Sequence, residues 1–107
     1  MIERQGIITF HGASLTLLGQ EPAVGMPAPA FQALDVELKA VGLESFKGKI
    51  CVLCSVPSLD TPVCDMETRR FNQEAVKLGQ DVEVVVVSMD LPFAQRRWCA
   101  GAGVDRV

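Results

Sequence analysis

The sequence predicts an α/β fold built around one βαβ unit, and three observations carry that expectation. Ile50–Val56 is an apolar run ended by Pro57, and Val82–Met89 has four consecutive valines at its centre, the pattern of strands buried in a parallel sheet. Between them, Val63, Met66, Phe71, Ala75 and Leu78 are spaced as one apolar stripe of a helix that Gly79 stops. A helix joining two such strands is the crossover of a parallel pair, expected to be right-handed.

The 107 residues suit a single domain, 1–107, and 49% hydrophobic content is enough for a core. Thirteen acidic against ten basic residues give a net charge of −3, and Arg69–Arg70 and Arg96–Arg97 are isolated pairs. That is not the clustered basic footprint of a nucleic-acid binder. Met1–Gly6 leads into alternating residues and lacks a signal peptide's apolar core. Apolar runs such as Ile50–Cys54 and Val84–Val87 are far short of the ~20 residues that cross a bilayer. A soluble cytoplasmic protein is expected. There, four cysteines indicate catalysis, redox sensing or metal binding rather than a structural disulfide framework.

Along the chain, Ile7–Phe10 and Leu15–Leu18 flank His11-Gly12-Ala13-Ser14, a hairpin with a glycine-containing turn, and His11 is a turn residue. Gln20–Ala30, rich in Pro and Gly, is an extended connector. Phe31–Leu38 is a weak strand, and Glu44–Lys49 a helical turn or loop. After the first buried strand, Pro57-Ser58-Leu59-Asp60-Thr61-Pro62-Val63-Cys64 forms a loop and the first helical turn. After the second strand, Asp90 is placed to cap a short helix, with Pro92 near its first turn and Phe93–Ala100 as its body, loosened by Gly101 and Gly103.

Cys64 is the first candidate for chemistry. A helix N-terminus offers partial positive charge and unpaired N–H groups, both of which favour a thiolate. Thr61 can turn its hydroxyl toward the same cavity, and Arg69 follows a little over one turn later. Those parts suit attack on a peroxide; the plain alternative is a buried cysteine acting as a small hydrophobe. Cys99, beside Trp98, is open between a thiol that condenses with an oxidised Cys64 and a core filler. Cys51 and Cys54 form C-x-x-C inside a strand, where residues three apart point to opposite faces. No second pair at zinc spacing accompanies them, so core packing is the better account.

The motif Pro57-x-x-x-Thr61-x-x-Cys64 resembles the active site of the peroxiredoxins. The longer PSLDTPVC, with Arg69-Arg70-Phe71-Asn72 after it, is similar to the thiol peroxidase branch, an atypical two-cysteine group. Asp90–Cys99 resembles that branch's resolving-cysteine segment, and Gly25–Phe31 fits the family's G-x-x-A-P-x-F pattern. The resemblance implies a thioredoxin-like fold with an N-terminal β-hairpin and reduction of hydrogen peroxide or small alkyl hydroperoxides. It implies Cys64 as the peroxidatic thiolate and Thr61 as its hydrogen-bonding partner. Pro57 would shield the pocket, and Cys99 would resolve the sulfenic acid as an intramolecular disulfide. Thioredoxin is the implied reductant, a homodimer the implied assembly, and no cofactor or metal is called for. The family pattern continues past this resolving segment with further strands, a closing helix and an activating arginine. Against it the chain is C-terminally truncated, and Arg69 is the nearest substitute for that arginine. The competing function is a catalytically impaired module acting only by association. A zinc or disulfide-exchange protein using Cys51 and Cys54 is a distant third.

Overall fold

His11 and Gly12 both adopt left-handed backbone angles, φ 50° and 80°, as a two-residue hairpin turn of the right twist requires. In the computed structural model, which describes Met1–Val107, this turn joins β1 (Glu3–Phe10) to β2 (Ala13–Leu18) in an antiparallel pair. A bulge lies between Gln5 and Ile8. The open end is closed by Gly19 N–H donating to the Ile2 carbonyl (2.8 Å) and Arg4 Nε donating to the Gly19 carbonyl (3.0 Å). His11 lies in the turn, as expected, with its ring edge-on to Phe10.

The expected strand at 31–38 is cut short. Strand β3 (Gln32–Leu34) folds back on β4 (Ala40–Gly42), which the sequence did not announce. Asp35 is the reason: its carboxylate accepts the N–H groups of Glu37 (2.8 Å) and Lys39 (3.0 Å). A side chain that bonds nearby backbone in this way competes with the strand ladder. A single 3₁₀ turn, Leu43–Phe46, follows.

The βαβ unit forms as expected. Strand β5 (Ile50–Val56), helix α1 (Pro62–Ala75) and strand β6 (Val82–Ser88) give a parallel β5–β6 pair in unbroken register. The last turn of the helix tightens to 3₁₀ at Val76–Leu78, and Gly79 turns the chain at φ 86°. Two expectations about burial fail. The strands are not covered on both faces, because β5 and β6 make a two-stranded sheet: Ile50 is 65% exposed, Leu53 52%, and only Val56 and Val84 are buried. The helix is also rotated relative to the expected stripe. Val63 and Met66 face solvent, while Cys64, Thr68 and Ala75 are buried. With Pro62 as the first helical residue, positions 64, 68, 71 and 75 share the inner face.

Helix α2 (Pro92–Ala102) runs past the expected Ala100 and includes Gly101. Gly103 ends it in the left-handed conformation (φ 68°, ψ 31°), and Val104 N–H then donates to the Cys99 carbonyl at 3.0 Å. Asn72 Oδ1 accepts the N–H groups of Asp105 (3.1 Å) and Arg106 (2.6 Å), tying the following segment to α1. Val104 is buried there.

Nothing crowds a Cβ at either helical-end glycine, so backbone preference alone should decide substitution there. Gly103→Ala should destabilise by about 1 kcal/mol because it forces a side chain into the left-handed region. Gly101→Ala should instead stabilise by about 0.5 kcal/mol. Urea midpoints of the two variants should therefore move in opposite directions from the parent.

Candidate active site

Parallel pairing decides where the site assembles. Val56 is registered against Ser88 at the carboxyl ends of the two strands, so residues an equal distance beyond each end leave the sheet side by side. Met89 N–H donates to the Pro57 carbonyl (3.3 Å), continuing the ladder by one step. Next, Asp90 reaches across: its carboxylate accepts Ser58 Oγ–H at 2.7 Å and Leu59 N–H at 2.8 Å. Ser58 Oγ also accepts Asp60 N–H (3.1 Å). The loop before α1 is thus held by one carboxylate from the neighbouring strand end.

Asp90 is not the helix cap that the sequence suggested. Leu91 holds the N-cap position of α2 with no side-chain bond, because the Asp90 carboxylate is already committed to the loop. The Leu59 N–H, followed by the Ser58 hydroxyl and Ser88, holds the Asp90 carboxyl below its ordinary value of 3.8. Gln95 Nε2 adds a 2.9 Å bond to Ser88 Oγ, joining α2 to the same strand end.

Thr61 is the N-cap of α1, with extended backbone (φ −132°, ψ 146°). Its hydroxyl donates to the Ser58 carbonyl at 2.7 Å rather than to the helix. Cys64 is the third helical residue and is 8% exposed, clustered with Val56 and Leu59 against Val86 and Trp98. One turn on, Thr68 is 2% exposed and its hydroxyl has no partner. Pro57 is exposed at the rim of the loop.

Arg69 is occupied. Its Nε donates to Asp65 Oδ1 at 2.6 Å and Nη2 to Oδ2 at 3.5 Å, and the guanidinium lies 5.6 Å from the Trp98 ring centroid. The same Asp65 Oδ2 accepts Trp98 Nε1–H at 2.9 Å. All four cysteines are free thiols. Burial pushes the Cys99 thiol up, and likewise Cys51 and Cys54, where Glu83 and Glu67 add to it in turn. Cys51 and Cys54 are half-buried on β5, and no cluster of three or more His, Cys, Asp or Glu is set to hold a metal. No helix is long and apolar enough to cross a membrane.

Two residues that matter to this geometry escaped the sequence. Asp65 carried no motif of its own. Asp90 was seen as a cap and as the start of the resolving-type segment, not as a tether of the loop, although Ser58 and Asp90 each lie two residues beyond paired strand ends, and that spacing was the available signal.

A strand–helix–strand unit with a cysteine in the first turn of its helix, preceded by an N-terminal hairpin, defines the thioredoxin-like fold in its peroxiredoxin form. A peroxiredoxin-like protein from Aquifex aeolicus matches it with a TM-score of 0.83 and 41% identity, over 91% of this chain and 56% of its own. A thiol peroxidase from Chromobacterium violaceum, 20% identical, shares the fold with a TM-score of 0.78, over 90% of this chain and 56% of its own. Residues 24–105 match the AhpC/TSA family, and the chain belongs to it. Among curated relatives, a thiol peroxidase of Bacillus subtilis is 53% identical over 100 residues, covering 94% of this chain and 59% of that protein. One from Halalkalibacterium halodurans is 54% identical over 99 residues, covering 92% of this chain and 59% of its own length. The chain therefore spans about three fifths of the length of these relatives.

Because the Asp90 carboxyl is depressed in the folded state, its contribution is present above the unfolded value and is lost as pH falls through the folded one. Asp90→Ala should lower the urea midpoint at neutral pH. It should also flatten the loss of stability below about pH 4, where an unfolded aspartate titrates. Equal acid dependence in the two proteins would show that the carboxylate does not hold the loop.

Proposed function

We propose that the chain carries the reactive centre of a thiol-dependent peroxidase for hydrogen peroxide and small alkyl hydroperoxides. The Cys64 thiolate attacks one peroxide oxygen, the O–O bond breaks, and hydroxide or alkoxide leaves while the sulfur becomes a sulfenic acid. The Cys99 thiol then condenses with it, forming an S–S bond and releasing water. A dithiol reductant, thioredoxin, returns the two electrons. A cytoplasmic homodimer is the assembly in which this chemistry would run.

One observation carries this reading: Cys64 is buried in the first turn of α1, one turn from the N-cap Thr61, in a chain of the AhpC/TSA family. The α1 N-terminus stabilises the anion that attacks. Thr61 donates its one proton to the Ser58 carbonyl, so its lone pairs remain to accept a peroxide O–H. Pro57 forms the rim that limits access, and Arg69 would have to leave its ion pair with Asp65 to present its charge to an incoming peroxide.

A second reading, a catalytically impaired module acting by association, is favoured by the apolar Leu53 side chain left exposed on one face of the sheet, where it stands beside Val85. Such exposed apolar surface is the mark of a contact face.

Cys64→Ser should lower thioredoxin-coupled peroxide consumption by on the order of 10³-fold, since the nucleophile is gone. Cys99→Ser should keep one rapid oxidation and stop at a trappable sulfenic acid on Cys64. Intact mass after one equivalent of peroxide should show the parent losing two hydrogens, with Cys64 and Cys99 in one cross-linked peptide pair. Folded parent protein whose Cys64 survives that peroxide would reject the peroxidase and favour the association module.

A further inference from the structure

Trp98 packs against the cluster of Val56, Leu59 and Cys64. Successive residues on a helix diverge by about 100°, so with Trp98 turned toward Cys64, Cys99 is turned off that face. A disulfide needs the two Cα atoms within about 7 Å and their side chains converging. Helix α2 must therefore rotate or unwind at Trp98–Cys99 before the sulfurs can meet. What resists this motion is visible. Trp98 Nε1–H donates to Asp65 Oδ2 at 2.9 Å, and the same carboxylate is fixed from the other side by Arg69 at 2.6 Å, itself stacked on the indole. Asp65 is the residue after Cys64, and Trp98 the residue before Cys99. One carboxylate thus joins the two helices beside both sulfurs, in a chain where neither helix has a side-chain N-cap bond.

We propose that Asp65 is a positioning residue: its bond to Trp98 Nε1 latches α2 in place and sets how often Cys99 is released toward Cys64. Its role in turnover rests on the peroxidase reading, but the latch itself exists in the reduced protein without peroxide. In turnover, release lets the Cys99 thiol displace hydroxide from the Cys64 sulfenic acid, so that the S–S bond forms as water leaves.

Trp98→Phe keeps the aromatic packing and removes only the donor. Asp65→Asn keeps an acceptor oxygen for the indole and removes the charge. The measurement is iodoacetamide alkylation of reduced protein, followed cysteine by cysteine by peptide mass, with Cys51 and Cys54 reporting general opening. Trp98→Phe should raise the Cys99 rate roughly tenfold, in line with loss of a hydrogen bond to a charged acceptor, and leave Cys51 and Cys54 unchanged. Asp65→Asn should fall between parent and Trp98→Phe. After one equivalent of peroxide, the ratio of disulfide formation to Cys64 oxidation should rise in the same order. An unchanged Cys99 rate in Trp98→Phe, or one that rises only in step with Cys51 and Cys54, overturns the latch. Faster Cys99 exposure with no faster disulfide formation on an oxidised Cys64 overturns its role in turnover. Failure of Cys64 to oxidise at all sinks the peroxidase reading and leaves the alkylation result to judge the latch alone.

Discussion

Seven consecutive residue pairs join β5 to β6 in parallel, from Ile50 with Val82 to Val56 with Ser88, and every feature of the site descends from that register. Parallel strands deliver their carboxyl ends to one edge, where the loop to α1 and the loop to α2 emerge as neighbours. The Asp90 carboxylate can then satisfy Ser58 and Leu59 at once, fixing the entry to α1 and hence the helical phase that turns Cys64 inward. A slip of one residue would pair Asp90 with the wrong loop atoms and reverse the faces of β6.

Few side chains are shielded in this molecule. Seven of 107 residues are buried, so apolar burial is thin and the polar tethers carry an unusual share of the positioning. Asp90 on the loop, Asp65 between the helices and Asn72 on the segment after α2 each bridge elements far apart in sequence. The ion pairs among exposed side chains, such as Lys39 with Glu37, contribute little by comparison, because water and salt screen them. Thr68 stands apart: its buried hydroxyl has no partner.

Much of this was legible in the sequence where local physics decides. Ile50–Val56 and Val82–Met89 announced strands through their concentration of apolar residues, and His11-Gly12 announced its turn through a glycine. Cys64 fell in the first helical turn because Pro62 can only begin a helix, not continue one. What failed was set by distant contacts. The stripe of Val63 and Met66 has correct helical spacing, yet the loop tether fixes the phase and turns Cys64 and Thr68 inward instead. Asp90 has the composition of a cap, yet a partner 31 residues earlier takes its oxygens. Asp35 likewise ended a strand by bonding its own backbone.

Three of the thiols share a property that bears on which sulfurs can pair. Burial pushes the Cys51, Cys54 and Cys99 thiols up, and a protonated sulfur attacks a disulfide far more slowly than a thiolate does. A chain with four cysteines could shuffle among six pairings. Desolvation disfavours the thiolate at Cys51 and Cys54, which lowers their part in any such shuffling. Desolvation therefore acts as insulation, discouraging stray pairings of these thiols without any disulfide to enforce it.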